Sequence, residues 1–324
     1  MKKILSVLMI TLLMTSCYDD YLKDFDFDAI YFTYQTNVRT FVVGEGMKIQ
    51  VGVVLGGTSE NNRDREVEFQ LDNTLINSET LAAMKNSTYG HIKNAVTPVL
   101  EFKELPSAYY TMSNNNKFVI AKGENAGMIT VKADSSTFLS DPDAIIPTYV
   151  LPFRLTKADA DSLRDGKNYT VIAFKFENML FGNYWHGGVT TIKDGTGTVI
   201  DEVKYFTAIP SPDSKAWALT TTGPSTLVTN GVSDISSSSK PEFGITLDGS
   251  NIVVNSIPGA SYEVQPDGPS SFNRARLLQD RRIFLSYKYQ NTAGNWCYAK
   301  DTLTFRNRIR DGVNEWQDEN PSHY

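Results

Sequence analysis

Met47-Lys48-Ile49-Gln50-Val51-Gly52-Val53-Val54-Leu55 carries an apolar side chain at every odd position, with Lys48 and Gln50 between them. Successive side chains of a strand point to opposite faces, so a period of two marks a strand with one face buried. The same alternation recurs along the chain. Val67, Phe69 and Leu71 interleave with Glu66, Glu68 and Gln70. Phe118/Ile120, Ile129/Val131, Tyr149/Leu151/Phe153/Leu155 and Ile172/Phe174/Phe176 continue it. Gly56-Gly57 and Asn114-Asn115-Asn116 supply turn residues between runs. Short strands at this spacing predict an immunoglobulin-like antiparallel β-sandwich over residues 29–180.

One segment breaks the pattern. Asn77 or Ser78 caps a run of helix formers through Lys85, which predicts a short helix crossing one end of the sandwich. A second is expected within residues 156–166, stopped by Gly166.

A boundary is expected near 177–183, where a strand ends at Phe176 and Gly182 permits a bend before Tyr184-Trp185-His186-Gly187-Gly188. Strand-like runs follow at 189–193, 198–207, 216–221, 243–248, 251–257, 283–290 and 296–306. The Ser/Gly/Thr/Pro-rich interval 223–241 reads as a long loop. About eight strands without a convincing helix predict an antiparallel β-barrel or a second sandwich over residues 181–324, and closure would remove exposed strand edges.

The amino terminus carries its own instruction. Lys2 and Lys3 precede an apolar run from Ile4 to Met14, too short for a permanent membrane span. Residues 1–16 therefore read as a secretory leader. Met14-Thr15-Ser16-Cys17 resembles the bacterial lipobox, which implies lipidation of Cys17 and attachment to a membrane by several acyl chains. Residues 17–28, with Asp19, Asp20, Asp24, Asp26 and Asp28, form an acidic tether and resemble the surface-export signal of Bacteroidetes lipoproteins.

Loss of Lys2 and Lys3 with the leader takes the formal charge from -6 to -8. Polyphosphate ligands need clustered Lys and Arg, so nucleic acid is excluded as a partner. If Cys17 is lipidated, Cys297 has no cysteine partner, and among aromatics in Asn295-Trp296-Cys297-Tyr298 it reads as a small buried hydrophobe.

No catalytic constellation emerges. His91, His186 and His323 lie far apart and fit no zinc motif, and no Gly-x-Ser-x-Gly elbow or phosphate loop is present. Neither Asp141-Pro142-Asp143 nor Asp19-Asp20 has the spaced oxygens of a calcium loop. The expectation is a non-enzyme with no cofactor and no metal. Sugar rings stack on flat aromatic faces, and Trp and Tyr are common at binding hot spots. Trp185, Trp217, Trp296 and Trp316 all lie in the second half, with Tyr184, Tyr205, Tyr287 and Tyr289. Trp185, Trp217 and Trp316 are the glycan-binding candidates; the competing role for these rings is to fill the barrel, except for Trp316, which follows Gly312 in a polar tail and is expected to be partly exposed.

The strings 99–110, Phe118-Val119-Ile120-Ala121-Lys122-Gly123, Ile129-Thr130-Val131 and Tyr149-Val150-Leu151-Pro152-Phe153 occur in an order that resembles the N-terminal sandwich of Bacteroidetes polysaccharide-utilisation surface lipoproteins, including some associated with endoglycosidases. Gly182-Asn183-Tyr184-Trp185 and Arg308-Ile309-Arg310-Asp311-Gly312-Val313-Asn314-Glu315-Trp316 resemble the β domain that often follows. The resemblance implies a non-catalytic cell-surface glycan-binding lipoprotein of the outer membrane, working beside an importer complex of the same system. The alternative is an adhesin or fimbria-like subunit that exchanges a strand such as 29–34 after cleavage near Arg39. A glycoside hydrolase is the third reading.

Overall fold

The computed structural model describes residues 27–57, 60–205, 215–235 and 238–318. The leader, Cys17 and most of the acidic tether lie outside the described residues.

The first unit is a two-sheet sandwich. In chain order its strands are β1 (Ala29–Tyr31), β2 (Thr36–Val43), β3 (Lys48–Gly56), β4 (Arg65–Leu71), β5 (Lys103–Glu104) and β6 (Tyr110–Met112). Then come β7 (Lys117–Ile120), β8 (Ala126–Ala133), β9 (Tyr149–Ala158), β10 (Ser162–Leu163) and β11 (Tyr169–Asn178). One sheet has the order β10-β1-β3-β8-β6; the other runs β2-β11-β9-β4-β7, with β5 beside β9. Most pairings are antiparallel, but β1–β10, β2–β11 and β5–β9 are parallel. Ile49, Val51, Val53 and Leu55 face Phe69, Phe118, Phe153 and Phe174 across the core, so the alternation at 47–55 has its expected cause.

The second sheet is covered on its outer side as well. Val38, Val150, Val171 and Ala173 pack beneath Leu81 and Met84 of α1 (Ser78–Lys85) and Ile92 and Val96 of α2 (Gly90–Val96). Strands buried on both faces read as continuous apolar runs; hence Tyr149-Val150-Leu151 and Val171-Ile172-Ala173-Phe174 do not alternate cleanly. Asn77 caps α1, its Oδ1 accepting from Thr80 N–H at 2.8 Å, with Glu79 and Lys85 complementing the helix dipole. α2 and a single turn, α3 (Ser135–Phe138), have no counterpart in the sequence expectations.

The helix expected within 156–166 is absent. Lys157 and Ala158 instead continue β9 against Glu68 and Val67, and Ser162–Leu163 pairs with β1. Asp161 and Asp28 cap each other's backbone N–H, which satisfies this segment without a helix. β1 is built into the fold: Ile30, and Phe32 just beyond it, are buried in the core. Arg39 lies inside β2, paired along its length with β11.

The second unit begins at β12 (Gly182–Lys193) and continues with β13 (Val199–Tyr205), β14 (Lys215–Gly223), β15 (Thr226–Thr229), β16 (Phe243–Asp248) and β17 (Asn251–Ser256). It ends with β18 (Gln265–Pro266), β19 (Ser270–Phe272), β20 (Arg282–Gln290), β21 (Trp296–Arg310) and β22 (Val313–Glu315). β12 pairs with β14 at one end of the ladder and with β21 along nearly all its length. The ring β12-β14-β15-β16-β17-β19-β20-β21 thus closes on itself, an eight-stranded barrel. The interval 223–241 is not one loop, because Thr226–Thr229 forms β15 with Leu227 turned into the core.

An eight-stranded barrel is just wide enough for side chains to fill. Tyr184, Trp217, Tyr287, Tyr289 and Phe243 occupy it. No helix among the described residues is long and apolar enough to cross a membrane.

Candidate functional site

The two β units meet at a buried charge cluster that shapes a large cleft. Glu45 sits in the β2–β3 turn between Gly44 and Gly46, whose φ values of 87° and 83° suit glycine. Its Oε1 accepts from Arg281 Nη2 at 2.6 Å and Arg308 Nη1 at 2.8 Å, and its Oε2 from Arg308 Nη2 at 2.8 Å. Burial pushes the Glu45 carboxyl up, but hydrogen bonds and charge from Arg308 and Arg281 outweigh it and hold the group below its ordinary value. Arg308 Nε also donates to Glu315, and Arg310 pairs with Glu315.

Asp311-Gly312 is the two-residue turn joining β21 to β22, with φ of 53° and 83°, as tight hairpins require. Asp311 Oδ1 accepts from Thr40 Oγ1 at 2.8 Å, Oδ2 accepts from Thr40 N–H at 3.3 Å, and Arg39 Nε lies 3.1 Å away. A Cβ at Gly312 would stand 2.6 Å from His91 Nδ1, so this hairpin tip docks onto β2 and α2 only with glycine.

The docking leaves a groove. A cavity of about 850 Å³ runs between β2–β3 and the β21–β22 hairpin, lined by Tyr34, Asn37, Arg39, Gln50, Arg310 and Gln317 among others. It shares Tyr34, Asn37, Arg39 and Gln50 with a neighbouring hollow of about 360 Å³ that reaches Met128. It shares Thr40, His91 and Asp311 with a third, of about 320 Å³, that reaches Phe181. The 850 Å³ cavity is of ligand-binding size. Tyr34, which lines it, and Tyr89 beside Tyr34 are 47% and 49% exposed, with ring centroids 5.6 Å apart in an edge-to-face pair. Tyr89 continues to His91 at 6.1 Å.

The predicted tryptophans fare differently. Trp217 is buried, stacked on His186 at 3.9 Å and pressed against Gly231, where any Cβ would clash with the indole. It fills the barrel and offers no face to a ligand from solvent. Trp185 lies on the outer barrel wall with the Arg306 guanidinium 4.4 Å over its ring. Trp296 is similarly covered by Lys288 at 5.2 Å. Trp316 is 57% exposed and sits between Glu315 and Gln317, both of which line the groove. None of Trp185, Trp217 and Trp316 lines the cleft; Trp316 is exposed beside it, its neighbours Glu315 and Gln317 facing the groove.

Tyr34, Tyr89 and His91 escaped selection as candidates from the sequence. Two tyrosines 55 positions apart become neighbours only because α1 and α2 pack over β2. The Tyr89-Gly90-His91 string, two flat rings flanking a glycine, was the one local clue.

A second polar cluster lies inside the barrel. His186 is stacked between Trp217 and Tyr205, with Nε2 3.2 Å from Asp301 Oδ1. Asp301 also accepts from the hydroxyls of Tyr205 and Tyr287. Burial first, and the Asp301 charge second, push both phenols up, so they remain donors and satisfy the buried carboxylate. His186 is packed, as its aromatic neighbours suggested. Cys297 is buried, and burial pushes its thiol up. Among the described residues no group of His, Cys, Asp and Glu could hold a metal ion.

A family model described as a "-like, N-terminal domain" matches residues 23–162. No curated protein matches the chain. Among solved structures, a Bacteroides ovatus protein of unknown function aligns at 19% identity over 90% of this chain and 98% of its own, with a TM-score of 0.62. A second Bacteroides ovatus structure, described as a candidate carbohydrate-binding protein, aligns at 15% identity over 89% of this chain and 71% of its own, with a TM-score of 0.30. The first of these shares the all-β, two-unit fold of this chain.

Proposed function

We propose that this chain is a non-catalytic glycan-binding protein that holds a polysaccharide in the groove between β2–β3 and the β21–β22 hairpin. The observation that carries the reading is the exposed Tyr34–Tyr89 pair, whose Tyr34 lines a cleft furnished with amides and hydroxyls. Pyranose rings present C–H faces to aromatic rings and hydroxyls to Asn, Gln and Arg. An open groove flanked by further hollows suits a polymer better than a small molecule.

The same proposal includes the anchor. Cys17 carries the lipid, the protein sits on the outer membrane facing the exterior, and an importer complex of the same system receives the glycan. A Cys17→Ala variant is expected to lose labelled palmitate and to leave the membrane fraction. Protease added to intact cells is expected to degrade the wild-type protein.

Affinity electrophoresis of the purified protein through gels containing host and plant polysaccharides tests the binding reading. Retardation by at least one polymer, reduced in Tyr34→Ala, is the expected result. Equal mobility in every gel would count against glycan binding and return weight to a structural-subunit role.

A further inference from the structure

The groove is crowded with charge, but nearly all of it is already committed. Arg39 is paired with Asp311 at 3.1 Å and Arg310 with Glu315. Lys175 donates to Glu177 at 2.6 Å. Glu45 is held by Arg281 and Arg308. Among the lining cations of the described residues, Lys48 alone has no carboxylate within ion-pair distance.

The side chains with hydrogen-bonding capacity to spare are neutral. Tyr34, Gln50, Thr130 and Gln317 line the groove and make no side-chain hydrogen bond to the rest of the described chain. They offer two amides, a phenol and a hydroxyl, groups that exchange hydrogen bonds with sugar hydroxyls without moving any charge.

Resting on the glycan-binding reading above, we infer that the groove selects a neutral polysaccharide and rejects chains bearing uronate or sulfate. An anionic ligand would face the carboxylates of Asp311 and Glu315 at close range. Lys48 is the one cation it could meet without competition; at Arg39 or Arg310 it would share a guanidinium already offset by Asp311 or Glu315, which weakens the gain. The formal charge of the whole chain, -6, opposes polyanions at longer range too. A neutral chain meets none of these penalties.

The test compares neutral polymers (galactomannan, xyloglucan, mixed-linkage glucan, starch) with acidic ones (polygalacturonate, alginate, heparin) at low and high sodium chloride. Retention by a neutral polymer, changing less than about twofold with salt, is expected, with none by the acidic set. Retention by an acidic polymer alone, weakened by salt, overturns the inference and leaves the glycan-binding reading standing. Retention by no polymer removes the glycan-binding reading and the inference together. Asp311→Asn adds an internal check, read beside its melting temperature. By freeing Arg39 it should confer measurable, salt-sensitive retention by polygalacturonate; a folded variant that still ignores polygalacturonate contradicts the paired-charge explanation.

Discussion

Arg308 clasps Glu45 through both terminal nitrogens, Nη1 to Oε1 and Nη2 to Oε2, each at 2.8 Å. The acid comes from a turn of the sandwich and the base from the last long strand of the barrel. This two-point geometry fixes direction as well as distance. Because Arg281 and Arg308 are buried too, the pair acts as a positioning device. It sets the gap between β3 and the β21–β22 hairpin, and that gap is the groove.

Glu45→Gln leaves two buried guanidinium groups facing a neutral amide. Removing one partner of a buried ion pair typically costs ~3 kcal/mol or more. A melting temperature several degrees below wild type at neutral pH is expected. The pH dependence has a definite sign. A carboxyl held below its ordinary value stabilises the fold above its unfolded pKa and loses that contribution as pH falls through the folded value. The wild type should therefore lose stability below about pH 4.5, and Glu45→Gln should show a shallower loss there. Parallel acid melting curves for the two proteins would contradict the assignment.

Trp217→Ala empties the centre of the barrel. Deleting a large buried aromatic costs ~3–5 kcal/mol through lost transfer energy and the cavity left behind. A large fall in denaturation midpoint is expected, measured by circular dichroism. Trp316→Ala removes an exposed ring and should shift the same midpoint hardly at all. A similar fall in both variants would mean that the Trp316 ring is packed.

Cys297 should be chemically silent in the native state. Its thiol is buried and pushed up by that burial, and the thiolate is the reactive form. Ellman's reagent is expected to find no reactive thiol at Cys297 until denaturant is added. Rapid labelling of Cys297 in buffer would show that this end of the barrel opens readily.

Legibility in the sequence followed local periodicity. The alternation at 47–55 and its repeats pointed to the sandwich, because one face of β3 is core and the other solvent. Asn77 announced its helix because capping is a matter of a few adjacent atoms. The helix expected in 156–166 failed for a long-range reason: Asp28, more than 130 residues upstream, satisfies Asp161 and holds that segment extended. Closure of the barrel was foreseen as an option but decided by β12 pairing with β21, a contact no local window contains.

The site was less legible than the fold. Aromatic count favoured the second half of the chain, yet an eight-stranded barrel consumes aromatics as filling, and Trp217, Tyr184 and Tyr287 went there. The exposed pair Tyr34–Tyr89 lies in the first half. Only Trp316, in a polar tail where no core could claim it, was correctly read as exposed.

Binding in the groove is tested by isothermal titration of wild type, Tyr34→Ala/Tyr89→Ala and Trp185→Ala with a polysaccharide that retards the protein in the affinity gels. If the groove is the binding site, the double variant loses tenfold or more in affinity, about 1.4 kcal/mol, with its melting temperature essentially unchanged, while Trp185→Ala binds like wild type. Full affinity in the double variant, or loss confined to Trp185→Ala, would contradict the groove and move the site to the outer wall of the barrel.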